Sequence, residues 1–121
     1  MRNAISFPVR ISALVVFAAG CVACSTVYEG RYARDEGWRP GTVQELAPAA
    51  GIKQAGWRDC RKDMSAAQQA ASRFATVEFF GSHRKSTITV PVEEGAQWSR
   101  GDRVYVDTAD CNAGLQPRAV D

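Results

Sequence analysis

Between residues 74 and 107 apolar and polar side chains alternate with a period of two, a rhythm that belongs to strands packed on one face. Ile88, Val90 and Val92 fall on one side of the run, Thr87 and Thr89 on the other. Ahead of it, Ala75, Val77 and Phe79 share a side in a β-rich stretch from Phe74 to Phe80. Behind it, Val104 and Val106 point the same way in Arg103-Val104-Tyr105-Val106-Asp107. The turns between these runs carry Gly81, Gly95 and Gly101, and Trp98 is expected to pack down onto the sheet. Pro91 has no N–H to give to a ladder, so its end of the strand is expected at an edge. Short alternating strands with glycine-bearing turns at intervals of about ten residues suggest a small barrel or sandwich.

Upstream the pattern is weaker. Arg39-Pro40-Gly41 is turn chemistry, Thr42-Val43-Gln44-Glu45-Leu46 alternates in part, and Pro48 to Gly51 is a second break. Residues 52–60 form a candidate short strand around Trp57. Ser65-Ala66-Ala67-Gln68 is a capping box, in which the Ser and Gln side chains satisfy each other's free backbone donors. Alanines at 66, 67, 70 and 71 recur at helical spacing, so a short helix is expected to lay a small-residue face on the sheet with Phe74 as its anchor. The expected architecture is therefore mainly β, about five short strands with one short helix, over residues 38–121.

The first twenty residues are different in kind. Arg2 and Arg10 stand there without an acid, followed by a ten-residue run dominated by apolar side chains. That order is a secretory signal pattern. The run is too short for a spanning helix, which needs about 20 apolar residues. It closes on Ala18-Ala19-Gly20-Cys21, and here the chain resembles bacterial lipoprotein precursors, whose signals end in small residues followed by a cysteine. The resemblance covers about the first 21 residues. It implies cleavage after Gly20, acylation of Cys21 as the new N-terminus, and a lipid-anchored envelope protein. The position three before the cysteine, usually leucine in that family, is Ala18. Cys24, preceded by Cys21-Val22-Ala23, fits the pattern less well and stays an alternative site; an ordinary secretory signal cut at an Ala-x-Ala-like site is another reading. Val22 stands where an aspartate would retain a Gram-negative lipoprotein in the inner membrane, so the resemblance points to the outer membrane, facing the periplasm. Residues 25–37 are charged and read as a tether.

Cys60 and Cys111 are the two cysteines of the folded body, and an exported chain can keep a disulfide between them. Closing a loop of about 50 residues removes roughly 4 kcal/mol of unfolded-state entropy in the chain-entropy picture. The alternative is two buried thiols that never meet. Cys21 and Cys24 form a C-x-x-C, but no βαβ pattern surrounds it, no histidine follows it and no second pair exists, so metal or redox chemistry is not expected. With Cys21 acylated, Cys24 is an odd thiol.

A second resemblance is carried by the Thr87-x-Thr89-Val90 strand, the acidic-glycine turn and Gly101-Asp102-Arg103-Val104-Tyr105-Val106. Residues 41–106 are similar to the small C-terminal barrel of glycine-zipper (SlyB-like) outer-membrane lipoproteins. That family is not enzymatic, and its glycine-zipper segment has no counterpart here: the single Gly37-x-x-x-Gly41 spacing encloses Trp38, Arg39 and Pro40.

Beyond residue 20 the basic and acidic residues balance at 13 each, which leaves no electrostatic footprint for nucleic acid. No phosphate-binding loop, zinc-protease motif or nucleophile elbow occurs, and no cofactor is expected. His83 beside Ser82 reads as a solvated turn residue, and Glu93-Glu94 as a solvated corner. A headgroup or phosphate site is one reading of Arg58, Arg61 and Lys62, but Asp59 and Asp63 among them favour an ordinary charged surface. Trp38, Trp57 and Trp98 are expected mainly in the core. The function expected is non-enzymatic: a structural or interaction module anchored to the membrane by lipid. The alternative is a binding or inhibitor module for a soluble periplasmic partner such as a cell-wall hydrolase.

Overall fold

A computed structural model describes residues 25–119; Cys21, Cys24 and the rest of the first 24 residues lie outside the described residues. The fold is mainly β, with one short helix. Six strands form one sheet: β3 (Trp38–Pro48), β4 (Arg58–Asp59), β5 (Arg73–Phe80), β6 (Lys85–Val92), β7 (Arg103–Asp107) and β8 (Gln116–Pro117), in the spatial order β4-β6-β5-β3-β7-β8. A separate two-stranded sheet pairs β1 (Val27–Tyr28) with β2 (Tyr32–Ala33).

The alternating residues form the core in the way their period demands. Ala75, Val77 and Phe79 of β5, Ile88 and Val90 of β6, and Val104 and Val106 of β7 are buried in one cluster with Val43, Cys60 and Leu115. Trp98 and Val92 pack against its margin. Val43 and Leu46 both join this side although they stand three positions apart, which an unbroken strand forbids. The register between β3 and β5 shifts between Val43 and Glu45, so Gln44 is the extra residue of a β-bulge that resets the alternation. Bulges also tighten local twist.

That twist is part of a strong curl. In a flat sheet, strands four or five steps apart would stand about 20 Å or more from one another. Yet Arg58 of edge strand β4 donates through Nη1 to the carbonyl of Thr108, just past β7, at 2.9 Å. Cys60, immediately after β4, is disulfide-bonded to Cys111 between β7 and β8, with Cα atoms 5.8 Å apart. The two margins thus meet through sulfur and side chain; β4 and β8 share no ladder. The result is a single sheet rolled round one core.

The convex side is covered in part by the crossover from β3 to β4. This connection begins with a 3-10 turn at Ala49–Gly51 and passes over β6. The Thr89 hydroxyl donates to the Ala55 carbonyl at 2.9 Å, and the Trp57 N–H donates to the Thr87 carbonyl at 2.7 Å. Thr89 is therefore buried although it points away from the core. Gly56 makes this approach possible: its φ is +86°, and a Cβ there would collide with the Thr87 carbonyl.

Four expectations change. Residues 25–37 are folded from Ser25 onward rather than a tether. Glu29 and Gly30, with φ of 52° and 71°, are the left-handed central residues of a turn closed by the Arg31 N–H on the Tyr28 carbonyl, within a three-residue hairpin loop. Tyr28 and Tyr32 then lay their rings on Tyr105, with centroids 5.5 and 4.8 Å away. Residues 52–60 contribute only the two-residue β4, because the rest is the crossover. The helix α1 (Ala66–Ala70) has both halves of the capping box, Ser65 with Gln68, but buries none of its residues. It is secured by the cap and by Gln69, whose Nε2 donates to the carbonyls of Arg61 and Met64. Phe74 belongs to β5 and not to a helix face. Pro91 does lie at a local edge, since β4 reaches only Ile88 and Thr89 of β6.

Reducing the Cys60–Cys111 bond, or replacing both cysteines by serine, should lower unfolding free energy by about 4 kcal/mol. Urea titration with and without dithiothreitol measures this directly; a loss below about 1 kcal/mol would mean that the curl holds without the crosslink.

Candidate functional site

The antiparallel register gives the rolled sheet two poles. Strands β3 and β6 run toward one of them and end at Pro48 and Val92, while β5 starts there at Arg73. At this far pole lies an open cleft of about 550 Å³, with Leu46, Val92 and Trp98 as its apolar side and Arg73, Glu93 and Glu94 as its charged groups. Its volume falls within the usual range for small-ligand sites. Trp98 supplies a half-buried aromatic wall, held where Gly101 N–H donates to the Val43 carbonyl and Val43 N–H donates to the Asp102 carbonyl. The Glu93 carboxylate reaches toward Gly114, where a Cβ would overlap it. The two neighbouring glutamates are thus a corner of the cleft, and Glu93 and Glu94 are both exposed.

At the opposite pole β5 turns into β6 through residues 81–84. Beside this turn a second hollow is lined by Trp57, His83, Arg84 and Lys85 with Ser86 and Thr87. His83 is exposed in the turn, as expected. Trp57 is not a core residue: it is 64% exposed and touches Phe79 only edge-on, with ring centroids 6.1 Å apart. Trp38 and Trp98, by contrast, are partly buried, Trp38 against the Tyr32 ring at 4.9 Å.

Two of the basic residues near Cys60, Arg58 and Arg61, turn out to be structural. Arg61 makes a two-pronged pair with Asp59, Nε to Oδ1 at 2.9 Å and Nη2 to Oδ2 at 2.8 Å. Its Nη1 donates to the carbonyls of Ala49 and Ile52 at 2.6 and 3.0 Å. One guanidinium therefore pins the crossover to the turn that carries Cys60. The Asp59 carboxylate, aided by the Arg61 side chain and its backbone N–H, is held below its ordinary value of 3.8. Arg58 is engaged with Thr108 and lies 3.6 Å from Asp63. Lys62 is exposed. Glu29 is also held low, by the N–H of Ala119 and by Tyr105, which fixes the hairpin to the chain beyond β8.

Cys60 and Cys111 are brought together by the fold; Cys21 and Cys24 lie outside the described residues. Among the described residues no group of three or more His, Cys, Asp or Glu side chains converges in a way that could hold a metal ion. No helix of the described residues is long and apolar enough to cross a membrane. Sequence reasoning missed the cleft because its walls come from the ends of three strands that only the register unites. No protein-family model matches the chain, and neither a curated protein nor a solved structure matches it.

The pair at Asp59 and Arg61 is only 11% and 19% exposed, so its removal should be felt. Asp59→Asn is expected to cost about 2 kcal/mol at neutral pH, in line with hydrogen bonds to charged groups. Because the folded carboxyl titrates below 3.8, its contribution is complete above that value and fades as pH falls through the lower folded one. The variant should therefore lose part of the acid limb below about pH 4; identical acid limbs in urea titrations would contradict this role.

Proposed function

We propose that this chain is a non-enzymatic lipoprotein of the bacterial envelope, held through acylated Cys21 at the periplasmic face of the outer membrane, where its folded body serves as a structural or interaction module. The observation that carries the reading is the Ala18-Ala19-Gly20-Cys21 box behind a basic and then apolar leader. A disulfide between Cys60 and Cys111 is in keeping with an oxidising compartment. Val22 after the acylated position favours the outer membrane. One acyl chain gives marginal binding at about 0.8 kcal/mol per methylene, and two or more make retention stable without any spanning segment.

The cleft beside Trp98 favours a second reading within the same anchored protein. An apolar wall with Arg73 on one side and Glu93 and Glu94 on the other suits a mixed-charge partner, such as a segment of a soluble periplasmic protein, of which a cell-wall hydrolase is one example.

Labelled fatty acid fed to cells should enter the wild-type protein and be lost in Cys21→Ser. Persistent labelling would move the modification to Cys24 or abandon the anchor, and the intact mass of the mature protein separates those two results.

A further inference from the structure

Three large hydrophobic side chains are exposed among the described residues, Val27, Trp57 and Phe80, and all three lie toward one pole. Phe80 is the last residue of β5, and Trp57 immediately precedes β4. Val27 lies two residues into the described chain, in the hairpin that leads into β3 at Trp38. The antiparallel pairing of β3 with β5 puts the start of one beside the end of the other. Ser25 is fixed at that same pole, because its hydroxyl donates to Asp35 and the Arg34 N–H donates to the carbonyl of Thr26. Four residue steps separate Ser25 from Cys21, a span that cannot exceed about 14 Å.

The charges at this pole divide by side. His83 and Arg84 are exposed in the β5–β6 turn with no side-chain partner among the described residues, and Lys85 makes only an exposed 3.7 Å pair with Glu78. Of the acids on the hairpin and β7 side, Asp107 and Asp110 accept backbone N–H groups of their own turns, and Asp35 accepts from Ser25. Glu36, like Asp35 and Asp110, is exposed there. The β5–β6 turn is thus the cationic part of the pole, flanked by Trp57 and Phe80. Aromatic rings with adjacent cations suit the headgroup layer, where the rings meet the acyl boundary and the cations meet phosphate.

We propose that this pole docks against the bilayer that holds the anchor, with Trp57 and Phe80 in the interface and Arg84 and Lys85 on anionic headgroups, so that the Trp98 cleft faces away from the membrane. The inference rests on the lipid-anchored reading. Its partner is the membrane surface, argued from where the chain enters the fold and from complementary charge.

The test uses the full mature protein, extracted from envelopes and reconstituted into vesicles of phosphatidylethanolamine and phosphatidylglycerol bearing brominated acyl chains. Tryptophan emission should be quenched, and Trp57→Phe should remove most of that lipid-dependent quenching. Arg84→Gln should lower the ratio of docked to undocked protein about fivefold on these vesicles and far less on phosphatidylcholine alone. An acylated protein whose quenching is the same with and without Trp57 overturns the docking and leaves the anchor standing. A mature protein without acyl mass overturns both. Shielding of Trp57 from acrylamide that requires envelope proteins, and that lipid alone does not reproduce, overturns the membrane assignment in favour of a protein partner.

Discussion

The join between Cys60 and Cys111 decides what kind of β structure this chain has. Without it the order β4-β6-β5-β3-β7-β8 is an open sheet with two short, poorly paired margins. Strands of two residues at both edges contribute few ladder bonds, and a small open sheet is marginal in water. The crosslink ties those margins across 51 residues of sequence and sets Cys60 itself in the core beside Val43, Ile88 and Leu115. Covalent closure stands in for the hydrogen bonds that would seal a barrel, and the Arg58–Thr108 bond ties the same two margins.

Arg61 is the second constraint, and it depends on the first. Its guanidinium holds the carbonyls of Ala49 and Ile52 while its own backbone belongs to the turn that bears Cys60. The crossover over the convex side is thereby fastened to the disulfide corner. Gly56 and Thr89 then set how closely it lies on β6. A residue group that reads in sequence as an ordinary charged surface is spent instead on joining irregular backbone to the sheet.

How much of this was legible follows from where each signal resides. The core face of β5, β6 and β7 was legible because period-two alternation is a local property and burial on one side enforces it. The disulfide was legible because only two cysteines fall in the folded body. The capping box of α1 was legible for the same local reason, but its alanine face was misread: small residues at helical spacing do not say whether a neighbour covers them. The hairpin at residues 27–33 left no usable mark. Its strands are two residues long, its turn is Glu29-Gly30 rather than the commoner Asn-Gly, and its burial comes from Tyr105, some 75 residues away in the chain. Long-range aromatic contact also explains why charged composition alone suggested a tether.

The two poles have different chemistry because an antiparallel sheet must send alternate turns to opposite ends. β5 spans eight residues, so the turn at 81–84 and the cleft beside Trp98 are separated by about 25 Å. The Debye length at physiological salt is about 8 Å. Glu93 and Glu94 at the cleft are therefore electrically remote from Arg84 and Lys85 in the β5–β6 turn. A strand of ordinary length is thus enough to keep the two environments apart.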